Sequence, residues 1–78
     1  MKILVDYNVK TIAGNIRTTR ERLAYSQEYI AAKLKVSQNT YSKIELGYVK
    51  LTLERFFKIC QVLEIDPAEV INADKVAA

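Results

Sequence analysis

Apolar positions recur at helical spacing through most of this 78-residue chain. From Val9 to Leu23, Ile12, Ile16 and Leu23 are separated by four and seven positions, with Arg17, Thr18, Glu21 and Arg22 between them. That alternation predicts one amphipathic helix. Ser26 then stands where an N-cap belongs, Glu28 follows in the first turn to complement the helix dipole, and Ile30, Ala31 and Leu34 form the buried stripe of a second, short helix. Lys35 and Val36 make a brief connection before Ser37 repeats the capping signal. The third helix that follows, over residues 37–46, has only Tyr41 and Ile44 as inward apolar positions, and Gly47 marks its end. Behind a further cap at Thr52, "LERFFKICQVL" places Leu53, Phe56, Phe57, Cys60 and Leu63 on one side of a fourth helix, the main core donor. In "DPAEVI", Asp66 is an N-cap, Pro67 takes the first helical position and Glu69 lies three residues after the cap, so a short fifth helix begins there.

This pattern predicts an all-α fold, a compact five-helix bundle. Two glycines and one proline in the whole chain agree with it, because little punctuates the helix-forming stretches. The length suits one domain near the lower limit at which a hydrophobic core alone sustains a fold. Residues 9–71 are read as that domain, 1–8 as an N-terminal extension and 72–78 as a flexible tail expected to fray. Half of the residues are apolar and 27% charged, too hydrophobic a balance for a disordered chain.

Composition also narrows the chemistry. Cys60 is the only cysteine and histidine is absent, so neither an internal disulfide nor a Cys/His metal site is expected. Cys60 lies on the apolar stripe of the fourth helix and reads as a small core residue rather than a nucleophile. With no histidine, no Gly-rich phosphate loop and no paired carboxylates at useful spacing, the chain reads as a non-enzyme without cofactors, and no small-molecule ligand is suggested. "MKILVDYNVK" is too short in apolar residues for a signal core or a membrane span, which points to a cytoplasmic protein. The net charge of +3 is unevenly placed: residues 10–50 carry eight Lys or Arg against three acids, and residues 51–78 carry three against five. A basic half joined to an acidic half suits a small domain that meets a polyanion on one side.

The third helix sharpens that suggestion. A short chain with little core to spare uses "SQNTYSK" to present polar side chains to solvent. Small Ala31 lies where the second and third helices would cross, and a steep crossing leaves the outer face of the third free. That face carries Gln38, Asn39, Ser42 and Lys43. Gln and Asn can pair with the N6 and N7 edge of adenine, Lys can reach guanine O6 and N7, and Ser can bond donors or acceptors, all in a major groove that admits a helix.

Residues 27–46, "QEYIAAKLKVSQNTYSKIEL", resemble the helix-turn-helix of the phage-repressor-like family, the Cro and repressor type also called the xenobiotic-response-element family. The likeness runs through Gln27, Ile30, Ala31, Leu34, Val36, Ser37 and Ile44 to the closing "IELG", and extends over residues 9–71. The resemblance implies a lambda-repressor-like DNA-binding fold. It also implies sequence-specific binding of double-stranded DNA by a transcriptional regulator, read here as a repressor acting as a homodimer. Residue by residue, it assigns Gln38, Asn39, Ser42 and Lys43 to base edges, and Ser26, Gln27, Thr40, Tyr48 and Lys50 to the DNA backbone. Arg20 and Glu45 match an ion pair that ties the first helix to the end of the third. The chain departs from the family in having Ala24 and Lys35 where glycine is frequent, Tyr41 in place of a small aliphatic residue, and Thr19 in place of leucine. If Ala24 and Lys35 are left-handed, each costs on the order of 1 kcal/mol.

Two further expectations follow. "KILVDY" has the composition of a short strand that could pair with its twin across a dimer, serve as an arm, or pack on the fourth helix. The apolar surface of "FFKICQVL" and "DPAEVI" is the candidate dimer face, since like faces there turn both basic halves toward DNA. The alternative to DNA reading is a protein-interaction module, antitoxin-like or regulator-binding, with the same fold and little DNA specificity of its own.

Overall fold

In the computed structural model, which describes residues 8–73, every helix begins on a side-chain cap. The helices are α1 (Val9–Arg22), α2 (Gln27–Leu34), α3 (Gln38–Glu45), α4 (Leu53–Leu63) and α5 (Pro67–Ile71), with no strand among the described residues. Ser26, Ser37, Thr52 and Asp66 cap α2 to α5 as expected, accepting from the backbone N–H of Tyr29, Thr40, Arg55 and Ala68. Asn8, placed above in the N-terminal extension, caps α1 by accepting from Thr11 N–H at 2.8 Å. The expectations for "KILVDY" fall on residues 1–7 and, with the tail from residue 74 onward, lie outside the described residues.

The helix ends share one device. α1 to α4 each stop on a left-handed residue: Ala24 (φ 66°), Lys35 (φ 61°), Gly47 (φ 80°) and Glu64 (φ 55°). In each case that residue's N–H bonds a carbonyl three positions back, and the next N–H bonds one five positions back, as in Lys35 to Ala32 and Val36 to Ala31. These are Schellman ends, which favour glycine because a Cβ crowds the backbone there. Ala24 and Lys35 therefore do carry the strain expected of them, and Glu64 adds a third case.

Packing places α3 against α1 and α2, α4 against α2 and α5, and α5 against α1. Ile16, Ile30, Tyr41, Ile44, Ile59 and Val70 are fully buried where these elements meet, with Ala31, Phe56, Cys60 and Leu63 beside them. Asn15 fastens α1 to α5 through a 2.9 Å bond from its Nδ2 to the carbonyl of Val70. On α4 Phe56, Cys60 and Leu63 are buried as expected, and Ile59 joins them in place of Leu53 and Phe57. Leu53 and Phe57 are 68% and 46% exposed. Leu53 sits on the first turn, beyond the edge of the core, and Phe57 is rotated about 100° from Phe56. Thr19 is buried, and it borders an open cleft of about 370 Å³ shared with Thr18, Arg22, Ile65, Glu69 and Ala73. A larger residue at position 19 would narrow that cleft.

Candidate nucleic-acid interface

The inner side of α3 is held by charge as well as by apolar contact. Arg20, in the last turn of α1, reaches Glu45 at the end of α3 through two bonds, Nε to Oε2 at 2.6 Å and Nη2 to Oε1 at 3.2 Å. Its Nη1 donates to the Tyr25 carbonyl at 2.8 Å. Gln27, at the start of α2, donates from Nε2 to Glu45 Oε1 at 3.0 Å. One carboxylate thus collects α1, α2 and α3. Both ionic partners are buried, so this pair is not a solvent-screened surface contact. Burial alone would push the Glu45 carboxyl up, but the bond from Arg20, the nearby Tyr41 hydroxyl and Gln27 together hold it below its ordinary value. The same bond to Glu45 holds the Arg20 guanidinium above its own. Removing one member would strand the other charge in the interior, a loss of about 3–5 kcal/mol.

Tyr41 lies fully buried against this pair. Its hydroxyl makes no hydrogen bond of acceptable geometry, although it stands near enough to Glu45 to stabilise the carboxylate. Burial first, and then the adjacent carboxylate, keep the phenol neutral far above physiological pH.

Opposite, α3 presents its polar residues. Gln38, Asn39 and Lys43 are exposed and Ser42 is half-buried, while Tyr41, Ile44 and Glu45 are buried. Leu46, 44% exposed, and Tyr48, 78% exposed, continue the surface beyond the helix end. Thr40 is held at the N-terminus of α3, where Ser37 Oγ donates to its Oγ1 at 2.9 Å. The loop after α3 is pinned by Tyr48 and Val49 N–H groups that both bond the Lys43 carbonyl, which sets Tyr48 and the exposed Lys50 beside the end of the helix. Ser26 lies at the N-terminus of α2, next to Gln27.

The predicted base-facing residues are thus gathered on one surface, and the predicted backbone-facing residues lie at its ends. Gln27 has a second duty that sequence reasoning missed, its bond to Glu45. No local signal could have shown it, because the partners are 18 positions apart. A stacked pair, Tyr25 just before α2 and Tyr29 within it with ring centroids 5.1 Å apart, and Lys33 over the Tyr29 ring at 5.4 Å, also went unforeseen. Their i, i+4 spacing was the available clue.

The family description for helix-turn-helix proteins matches residues 16–70, more than half of the chain and all of the elements just described except the start of α1 and the end of α5. The chain belongs to the helix-turn-helix family. Within that family it is of the Cro and repressor type, a DNA-binding transcriptional regulator. Its fold is similar to that of the clp gene regulator ClgR from C. glutamicum, known from a crystal structure. The likeness has a TM-score of 0.79 at 21% identity and covers 94% of this chain and 97% of that one. Comparison with curated proteins finds no match. In the terms of the family, α2 and α3 are the helix-turn-helix, Lys35 and Val36 are its turn, and α3 is the second helix. Among the described residues no helix is long and apolar enough to cross a membrane, and no His, Cys, Asp and Glu group is arranged to hold a metal ion.

Proposed function

We propose that α3 enters the major groove of duplex DNA and reads sequence through Gln38, Asn39, Ser42 and Lys43. Ser26, Gln27, Thr40, Tyr48 and Lys50 then hold the flanking backbone. The observation that carries this reading is the contrast between the two sides of α3: one is anchored by Tyr41, Ile44 and the buried Glu45, the other is polar and uncovered by its own chain. A phosphate beside Ser26 and Gln27 would meet the free N–H groups at the start of α2. Because Glu45 holds Gln27 by its amide nitrogen, the side-chain orientation is set before DNA arrives.

In this reading the domain spans residues 9–71 and works inside the cell as a homodimer, without catalysis, cofactor or small ligand. It represses by occupying its site. One such helix contacts few base pairs, so two copies about one helical turn apart supply the needed length. Much of the apolar surface first assigned to the dimer is taken by the core, where Cys60, Leu63 and Val70 are buried. Of that surface Phe57 remains exposed, and outside it Leu53 and Val9 are exposed beside an apolar groove of about 220 Å³ floored by Ile12, Phe56 and Ile71. That patch is the candidate dimer face.

Selection of duplexes from random DNA, followed by a salt titration, tests the reading. A preferred sequence is expected, with log affinity falling linearly against log salt at a slope of about −0.9 per phosphate contact. No sequence preference and no salt dependence would favour the protein-interaction module instead.

A further inference from the structure

The first turn of α1 holds a cation where the helix dipole disfavours one. Lys10 is the second residue of α1, and that turn contains no acidic side chain. A positive charge beside a helix N-terminus is unfavourable, the reverse of the gain a carboxylate brings there. The side chain is nevertheless placed with care. A Cβ on Gly47 would lie 3.3 Å from Lys10 Cγ and 3.8 Å from its Cβ, so the lysine stem covers the glycine that ends α3. Gly47 is followed directly by Tyr48 and then by Lys50. A lysine seventeen positions upstream of Gln27, where the helix-turn-helix opens, is thereby seated beside the loop assigned to the DNA backbone.

We propose that Lys10 is a phosphate-binding residue of the DNA interface, carried by α1 to the C-terminal end of α3, where it acts with Lys50 on one strand. The inference rests on the DNA-reading role of α3 and adds a contact from outside the helix-turn-helix. It explains a cation kept against the dipole: the ammonium serves an external anion, and the packing of its stem on Gly47 limits the side-chain freedom lost on binding. Arg17 offers a contrast on the same helix, since its guanidinium is occupied by Glu21 at 3.3 Å. Lys10 has no carboxylate partner among the described residues.

The test compares Lys10→Gln, Lys10→Arg, Lys50→Ala and Lys58→Ala with the parent chain, by fluorescence anisotropy on a selected duplex and on an unrelated one, from low to high salt. Lys10→Gln is expected to weaken both duplexes alike, about eight-fold near 0.1 M salt, and to reduce the salt slope by about 0.9. Lys10→Arg should restore the slope, and Lys58→Ala, on α4, should leave it unchanged. Melting temperatures measured alongside should show Lys10→Gln as stable as the parent or slightly more so, because the clash with the dipole is gone. A Lys10→Gln slope equal to the parent's, with Lys50→Ala still reducing it, would overturn the role of Lys10 and leave the reading of α3 intact. Absence of any salt-dependent duplex binding by the parent chain would overturn both.

Discussion

α3 and α4 start and stop in the same way and use their surfaces differently. Each begins on a hydroxyl cap, Ser37 or Thr52, and each is followed by a left-handed residue, Gly47 or Glu64. α4 buries four residues, Phe56, Ile59, Cys60 and Leu63, every one of them contributing to the core. α3 buries Tyr41, Ile44 and Glu45, and holds the last by an ion pair to another helix. A helix of eight residues with so short an apolar stripe is not stable alone. It is held from behind by α1 and α2, which frees its outer face from any part in folding. The residues that matter to the bundle and those proposed to meet DNA are therefore separable on α3, whereas on α4 the buried stripe serves the fold and Leu53 and Phe57 stay exposed.

That separation can be broken most severely at Glu45. Glu45→Ala should cost about 3–5 kcal/mol in urea unfolding, since it strands Arg20 and frees Gln27, and duplex affinity should drop with it. The same carboxylate predicts a pH dependence. Its folded pKa lies below the ordinary 4.5, so the stabilisation it supplies is full above that value and is lost as pH falls through the lower, folded one. An NMR titration of the Glu45 side-chain carbon should give a midpoint below 4.5; a midpoint above it would show the pair to be weak.

Next in size is Ile59→Ala, which should destabilise by about 2–5 kcal/mol while leaving the affinity of the folded fraction for duplex unchanged. Gln38→Ala should do the opposite. It is expected to cost about 1–3 kcal/mol on the preferred duplex alone, with a stability change inside about 0.5 kcal/mol. Equal losses on preferred and unrelated duplexes would move Gln38 from base edge to backbone. The smallest effects belong to the helix ends: Ala24→Gly and Glu64→Gly should each raise stability by up to about 1 kcal/mol in thermal melts, because glycine relieves the left-handed strain.

Helix starts were legible in the sequence because a cap is local chemistry: Ser26, Ser37, Thr52 and Asp66 each bond an N–H two or three residues on. Ends were less so. Gly47 announced itself, but Glu64 in the left-handed region left no trace, since the backbone strain is tolerated through packing elsewhere. Adjacent apolar residues on α4 also misled: "FFKIC" does not say whether Phe57 or Ile59 faces inward, and only the placement of α2 and α5 decides it. The polar face of α3 was readable as a surplus of hydrogen-bonding side chains with nothing to bury. The links from Gln27 to Glu45 and from Lys10 to Gly47 were not readable, because they join residues far apart in the chain and depend on how three helices meet.

The most direct measurement is an NMR titration of the nitrogen-15-labelled chain with its selected duplex, followed at the side-chain amides of Gln38 and Asn39. Both NH₂ groups should shift on binding that duplex, and to a lesser degree on an unrelated one, while the amides of Ile59 and Leu63 stay in place. Binding that leaves Gln38 and Asn39 unmoved and perturbs α4 or α5 instead would contradict the assignment of α3 as the element that reads DNA.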